Sequence, residues 1–430
     1  MAYIFIYNIG MALYAFAAWL ASFINPKIKK LIEGHRDILT TVRNGIKEGD
    51  RIVWFHVASL GEFEQGRPLM ELVRKNHPEY KILLTFFSPS GYEVRKNYEG
   101  ADVICYIPFD TKRGANRFLD IVKPEIAIFI KYEFWYFFLT GMRKRGTRIY
   151  SVSSIFREGQ IFFRFKNAAK VLRQFDHLFV QNQKSVDLLA GIDIHNTTIV
   201  GDTRLDRVME IHNQAKDLPL VQAFKNGQKT FIAGSSWDPD EHIYLPYFSK
   251  HLDWKLIIAP HEIDEPRLAR LMRQLEGRKV LRYTDAEKMI AEGGKEAAQQ
   301  MLKESDVLIV DCFGKLSSIY RYGEIALVGG GFGAGIHNVP EAAVYGIPVL
   351  FGPNNKKFNE AQELKECKGA FEYTDEQSFA EVMDQLINDP EYLQQAGKKA
   401  GDYINTHTGA TLKCYNAIFG EQKAKEKEAE

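Results

Sequence analysis

The chain has 430 residues, enough for two or three domains with sizeable cores. Its 56 lysines and arginines nearly balance 55 acidic residues and are scattered without a basic stripe, which argues against nucleic acid as a partner. Four cysteines, Cys105, Cys312, Cys367 and Cys414, lie far apart with no C-x-x-C pair, so neither a disulfide framework nor a zinc site is expected, and a reducing cytosol fits.

From Ala2 to Ile24 no side chain is charged, and only Asn8 and Ser22 are clearly polar. A run of this length suffices to cross a bilayer as one helix. Lys27, Lys29 and Lys30 follow at once, and the positive-inside rule keeps that flank, with the body of the protein, in the cytoplasm. No lysine or arginine precedes the run, which disfavours a cleaved signal peptide. A membrane anchor is therefore expected, with spanning and interfacial placement both open. A buried core helix is the alternative.

Short apolar runs alternate with helical patterns from about Arg51. Strands are expected at Ile52–Val57, Ile82–Phe87, Val103–Ile107, Ile126–Ile130, Arg148–Val152, Leu178–Val180 and Thr198–Val200, with helices between them such as Phe63–Lys75 and Arg113–Val122. This βαβ rhythm implies a mostly parallel sheet covered on both faces. After the first strand comes His56-Val57-Ala58-Ser59-Leu60-Gly61-Glu62, which places Glu62 in the first turn of a helix at the carboxyl edge of the sheet. A general base would stand there. So would an acidic residue that only complements the helix dipole. Lys131-Tyr132-Glu133-Phe134-Trp135 follows a second strand, with Glu133 either functional or a cap.

A polar stretch, 213–229, breaks the rhythm and is expected to be a linker. The pattern restarts at Thr230–Ala233, Lys255–Ala259, Val307–Val310, Ile325–Val328 and Val349–Phe351, with helices at Glu265–Leu275, Ala286–Leu302 and Glu376–Ile387. Two doubly wound domains in tandem are implied, with ligands beyond the carboxyl ends of their strands and a cleft between the domains. Ser235 and Ser236 follow the first strand of the second half, either holding phosphate or capping a helix. His261 and the run Asp311-Cys312-Phe313-Gly314 sit at two further strand ends. The charged tail from about Glu421 is expected to fray into solvent.

The most informative stretch runs from Gly329 to Pro353. Its glycines, Gly331 and Gly333 among them, allow a tight turn and close ligand approach. A helix is expected to start near Asn338 with Pro340 and Glu341 in its first turn, and to stop at Gly346. Backbone N–H groups and a helix dipole suit a phosphate, and the Glu341 carboxylate suits ribose hydroxyls. The spacing is wrong for G-x-G-x-x-G, and H-E-x-x-H, P-loop and G-x-S-x-G motifs are absent from the sequence.

HVASLGE (56–62), KYEFW (131–135), VGDTRLD (200–206), AGSSW (233–237) and GIHNVPEAAVYGIPVLFGP (335–353), behind an apolar N-terminus, together resemble the 3-deoxy-D-manno-octulosonic acid (Kdo) transferases of lipopolysaccharide synthesis. The resemblance runs over nearly the whole chain. It implies an α/β GT-B fold: anchor 1–26, acceptor-binding Rossmann-like domain 27–215, donor-binding domain 216–400, and a C-terminal helix in 401–430 packing back on the first domain. It implies CMP-Kdo as donor and a lipid A precursor as acceptor at the cytoplasmic face of the inner membrane, with no cofactor and no metal. Glu62 matches the family's proposed catalytic base, and Glu133 is implicated beside it. Ser59, Gly61 and Arg204 are expected on the acceptor side. Ser235, Ser236, His261, Gly314, Gly331, Gly333, Asn338, Glu341 and Glu360 are expected on the donor side.

The chain departs from the family pattern at Pro260-His261, at Asp311–Leu316 and at Lys357-Phe358, where Lys315 and Lys357 are candidates to supply positive charge. Phe162, Phe163, Arg164 and Lys166 are read either as a membrane-facing patch or as ordinary helix packing, the latter favoured. Two rival functions remain from the sequence: a GT-B transferase using a UDP-sugar and a lipid-linked acceptor, and a non-catalytic, membrane-tethered nucleotide-binding module.

Overall fold

A computed structural model describes residues 2–427, with side chains from 4 to 420. The charged tail expected to fray falls largely outside these limits: the last helix is Ala410–Lys427, and the side chains from 421 onward lie outside the described residues. The chain divides into two compact units, Met1–Arg207 with Thr408–Glu430, and Val208–His407.

The first unit holds one sheet of seven parallel strands: β1 (Arg51–Val57), β2 (Tyr80–Phe86), β3 (Val103–Tyr106), β4 (Ile126–Ile130), β5 (Arg148–Ser154), β6 (His177–Val180) and β7 (Thr197–Ile199). Their spatial order is β3-β2-β1-β4-β5-β6-β7. The second unit repeats the plan with β8 (Thr230–Ser236), β9 (Lys255–Pro260), β10 (Val280–Arg282), β11 (Val307–Ile309), β12 (Ile325–Val328), β13 (Val349–Phe351) and β14 (Ala370–Glu372), ordered β10-β11-β9-β8-β12-β13-β14. Both sheets are buried on two faces, which is why their strands read as unbroken apolar runs rather than alternating ones. In each sheet the winding direction reverses once, between β1 and β4 and between β8 and β12. Open α/β sheets bind ligands at that reversal, outside the carboxyl ends of the strands.

Three expectations need correction. The stretch 213–229 is not a loose linker. Helix Pro219–Lys225 lies within it and buries Leu220, Val221 and Phe224, and the Lys255 Nζ on β9 donates to the Phe224 carbonyl at 2.6 Å. The expected helix over 286–302 is two helices, Tyr283–Ala291 and Lys295–Glu304, parted at Gly293-Gly294, where Gly293 takes φ 91°. The helix after the glycine turn is a single turn, Pro340–Ala343. So short a helix carries little macrodipole, which sums over aligned peptides.

The N-terminal helix Ala2–Ala21 is fastened to the first unit along one side. Tyr7 donates its hydroxyl to Asp110 Oδ2 at 2.5 Å and packs on Tyr136 and Phe137. Tyr14 lies against Phe87 and Phe109. Phe5, Ile6, Leu13, Phe16, Phe23 and Ile24 are each more than half exposed. Phe162 and Phe163 pack against Phe134 and Phe156, as the helix-packing reading expects. The C-terminal helix Ala410–Lys427 belongs to the first unit, with Ala410, Cys414, Ile418 and Phe419 in its core and Asp206 accepting from the Thr411 N–H at 2.6 Å.

Candidate functional site

At the first reversal, β1 ends at Val57 and helix Leu60–Asn76 begins. Ser59 is its N-cap, with the hydroxyl at 3.5 Å from the Glu62 N–H, and a Cβ on Gly61 would meet only open space and that hydroxyl. Glu62 does not point away as a surface residue complementing the dipole. Its carboxylate turns back to accept from the Ala58 N–H at 2.5 Å. Burial, then the Glu133 charge, push its pKa up to about 7 against that hydrogen bond and Lys131. A carboxylate that titrates near neutral pH suits a general base.

Glu133 comes from the end of β4, beyond Lys131, whose φ of 61° turns the chain sharply at the strand end. Its Oε2 accepts from Trp135 Nε1 at 2.7 Å and lies 3.0 Å from His56 Nε2, which Trp135 Nε1 also approaches, at 3.1 Å. His56 is wholly buried in β1. Arg204 grips Asp202 through Nε at 2.9 Å and Nη2 at 2.7 Å, and Gln65 donates to the same carboxylate at 2.8 Å. Burial raises the Asp202 pKa, but Arg204, Lys131 and the hydrogen bonds outweigh it and hold it down at about 2. Lys131 thus acts on Glu62 and Asp202 together, which ties Arg204 to the carboxylate pair through one cation.

At the second reversal, Ser235 forms a bulge in β8 with φ 51°. Ser236 is fully buried and donates to Glu241 at 2.8 Å, beneath the loop. A cavity of about 450 Å³ opens beside them, lined by Trp237, Asp240, His261, Gly333, His337 and neighbouring loop residues. His261 is sandwiched between Trp237 and His337, with ring centroids at 4.6 and 4.4 Å. Trp237 Nε1 donates to His337 Nε2 at 3.1 Å. Burial, then His261, hold the His337 pKa down at about 4, so this ring is neutral at physiological pH. A Cβ on Gly331 would strike the Gly352 backbone at 2.4 Å, so this glycine packs the loop on the strand, whereas Gly333 faces the cavity.

Asn338, just before the one-turn helix, donates to Glu341 within it at 2.7 Å, and neither lines the cavity. Gly314 lies in an exposed turn with φ 80°, and Glu360 is buried in the first turn of helix Asn359–Glu366; neither lines this cavity. Lys357 donates to the Ala334 carbonyl at 2.8 Å, while Lys315 pairs with Glu287.

Sequence reasoning passed over His56, His337 and Asp240. His56 stood inside a quoted motif, and its signal was a lone histidine in an otherwise apolar strand. Asp240 clamps the Gly330 N–H at 3.1 Å and the Trp237 N–H at 2.9 Å, and so fixes the glycine loop. It belongs to an Asp-x-Asp spacing, Asp238-Pro239-Asp240, but Asp238 pairs with Arg267 at 2.9 Å and both carboxylates are engaged in structure. Among the described residues, no group of three or more His, Cys, Asp and Glu is placed to hold a metal.

Residues 34–207 match a family model described as 3-deoxy-D-manno-octulosonic-acid transferase (kdotransferase). A 3-deoxy-D-manno-octulosonic acid transferase of Aquifex aeolicus is 27% identical over 356 residues, spanning 80% of this chain and 89% of the relative. One of Chlamydia muridarum is 26% identical, spanning 85% of each chain. Among solved structures, a UDP-N-acetylglucosamine 2-epimerase superposes with a TM-score of 0.57 at 13% identity, covering 87% of this chain and 98% of the other. The enzyme of Neisseria meningitidis gives 0.53 at 13% identity, covering 84% and 100%. These likenesses concern the fold alone: two Rossmann-like units in tandem, the GT-B class.

Proposed function

We propose that the chain belongs to the Kdo transferase family and, as a Kdo glycosyltransferase, moves Kdo from CMP-Kdo to a lipid A precursor with inversion at the anomeric carbon. The observation that carries the acid–base part is the part-buried pair Glu62 and Glu133 at the β1/β4 reversal, with Glu62 held near neutrality. Glu62 takes the proton from the acceptor hydroxyl as that oxygen attacks the anomeric carbon. The bond to the CMP phosphate breaks, and CMP leaves as an anion. Positioned proton transfer of this kind is worth about 10²–10⁴-fold. On the second unit, N–H groups of the glycine loop stand by the leaving phosphate, the Trp237–His261–His337 stack borders the donor cavity, and Glu341 takes the ribose hydroxyls.

The membrane reading is interfacial. Ile4–Ala21 is long and apolar enough to cross a bilayer, but Tyr7 and Tyr14 hold one side of the helix against the first unit. Its outer apolar face then lies in the lipid surface, with Lys27, Lys29 and Lys30 at the headgroups of the cytoplasmic leaflet, where a lipid acceptor would be met.

The test is direct. The protein is incubated with CMP-Kdo and a lipid A precursor, and the product is weighed by mass spectrometry. Gain of Kdo residues on the lipid supports the assignment, and the anomeric configuration read by NMR tests inversion. Transfer from UDP-sugars instead, or CMP binding without turnover, would replace it with one of the two rivals.

A further inference from the structure

We propose that His56 is a positioning residue for the carboxylate pair: held by Thr85 as the Nε2–H tautomer, it donates to Glu133 and keeps that carboxylate as the charged neighbour of Glu62. The proposal deepens the reading of Glu62 as the deprotonating group.

The tautomer follows from counting protons. Trp54 Nε1–H is donor only, and it reaches Thr85 Oγ1 at 2.8 Å. The Thr85 hydroxyl has one proton of its own and two acceptors in range, His56 Nδ1 at 2.8 Å and the Phe55 carbonyl at 3.5 Å. The longer contact is at the limit of a hydrogen bond, so the proton goes to Nδ1. Nδ1 then accepts, and the ring carries its proton on Nε2, which faces Glu133 Oε2 at 3.0 Å. Trp135 Nε1 lies 2.7 Å from the same oxygen and 3.1 Å from His56 Nε2; its proton goes to the nearer carboxylate, since a bare Nε2 would set its lone pair against that oxygen.

The ring cannot turn away. It is fully buried, with Trp54, Phe129 and Trp135 around it at centroid distances of 6.5, 5.4 and 6.4 Å. The chain Trp54, Thr85, His56, Glu133 therefore runs one way, each member donating to the next, across β1, β2 and the end of β4.

The consequence falls on Glu62. The charged groups acting on it are Glu133, which opposes its ionisation, and Lys131, which favours it. Without His56, Glu133 Oε2 keeps only the Trp135 donor and its carboxylate is free to turn away from Glu62. The charge that opposes Glu62 then moves off, and Glu62 becomes ionised at lower pH and is a weaker base. A histidine that merely fills space would leave this titration unchanged.

The experiment compares His56→Leu, which has no donor, with His56→Gln, whose side-chain amide can place an N–H where Nε2 stood. Glutamate carboxyls are titrated by ¹³C NMR in the full-length protein without substrate, and the acidic limb of kcat/KM is recorded in parallel. In His56→Leu the Glu62 midpoint should fall by at least about half a pH unit, as part of the rise owed to the Glu133 charge is lost. His56→Gln should stay near wild type. Equal shifts in both variants, or none in either, would overturn the proposal. If His56→Leu does not fold, ¹⁵N-histidine spectra of the wild type decide: a proton on Nε2 with bare Nδ1 supports it, and a proton on Nδ1 sinks it. Because the titration needs no substrate, loss of the transferase assignment would leave this result standing. Transfer with an unmoved titration would remove the His56 role alone.

Discussion

Replacing Glu62 with Gln separates a working base from a helix-end carboxylate, because the two roles predict stability changes of opposite sign. The folded protein keeps a proton on Glu62 up to about pH 7, whereas the ordinary value is 4.5. Between those values folding takes up a proton, so stability falls as pH rises through the window, and the cost is complete above it. At ~1.4 kcal/mol per pH unit, the climb amounts to about 3 kcal/mol at pH 8. Gln keeps a carbonyl oxygen for the Ala58 N–H and carries no charge. The variant should therefore be more stable than wild type by about 3 kcal/mol at pH 8 and nearly equal to it at pH 5. Transfer should fall by about 10²–10⁴-fold at pH 8 and by far less at pH 5, where wild-type Glu62 is already protonated. A carboxylate that served only the dipole of helix Leu60–Asn76 would instead lose about 0.3–1 kcal/mol at pH 8 and keep its turnover. The assay is urea unfolding at the two pH values, followed by hydrogen exchange in β1 and β4 so that the first unit is read by itself, with turnover measured on the same preparations. A variant less stable at pH 8 and still active would refute the reasoning.

Removing residues 1–25 should abolish binding to anionic vesicles while CMP binding, measured by calorimetry, is retained; a truncated protein that cannot fold would show the helix to be core. Glu341→Ala should weaken CMP binding by about 1.5–3 kcal/mol, the worth of a charge-assisted hydrogen bond, and an unchanged Kd would take Glu341 out of the ribose site. Asp202 titrates at about 2 in the folded protein against an ordinary 3.8, so its contribution is fully present above pH 4 and is lost as pH falls toward 2. Asp202→Asn should therefore destabilise the first unit by about 2 kcal/mol at neutral pH and flatten its acid unfolding below pH 4; an acid limb identical to wild type would contradict the Arg204 pairing.

Most strands were legible because they are buried on both faces and read as short apolar runs between turn residues. β10 (Val-Leu-Arg) and β14 (Ala-Phe-Glu) were not, for each is a three-residue edge strand that ends on a charged side chain and leaves no continuous apolar run. The stretch 213–229 looked like a linker because its polar residues outnumber the three, Leu220, Val221 and Phe224, that dock helix Pro219–Lys225. Periodicity ran through Gly293-Gly294 because helical spacing resumes beyond it, although the φ of 91° at Gly293 ends the first helix. At the sites, the sequence placed Glu62 and Glu133 at strand ends but was silent on their partners. Those partners are set by register: β1 pairs with β2 so that His56 lies beside Thr85, and a single sequence does not specify a pairing between distant strands. The docking of the N-terminal helix was hidden for the same reason, since Tyr7 and Asp110 are 103 residues apart.

Backbone strain gathers around the proposed sites. A non-glycine residue with positive φ costs on the order of 1–3 kcal/mol unless its surroundings demand it. Lys123 and Asn226 have an ordinary reason for that conformation, since each caps a helix C-terminus. Lys131, Ser153 and Ser235 do not. Lys131 follows β4, Ser153 sits in the bulge of β5 with its hydroxyl on Thr203 beside Asp202, and Ser235 is the bulge that ends β8. A regular strand end would serve packing as well at all three. What the strained residues do is local. Lys131 stands between β4 and Glu133 and brings a cation to both Glu62 and Asp202, and Ser235 sets the turn that leads to Trp237. Glu62 adds its own cost, a carboxylate buried where a neutral side chain would be more stable. Strain at Lys131 and Ser153 thus stands beside the displaced ionisations of Glu62 and Asp202, and that coincidence is expected of a site selected for chemistry rather than for folding.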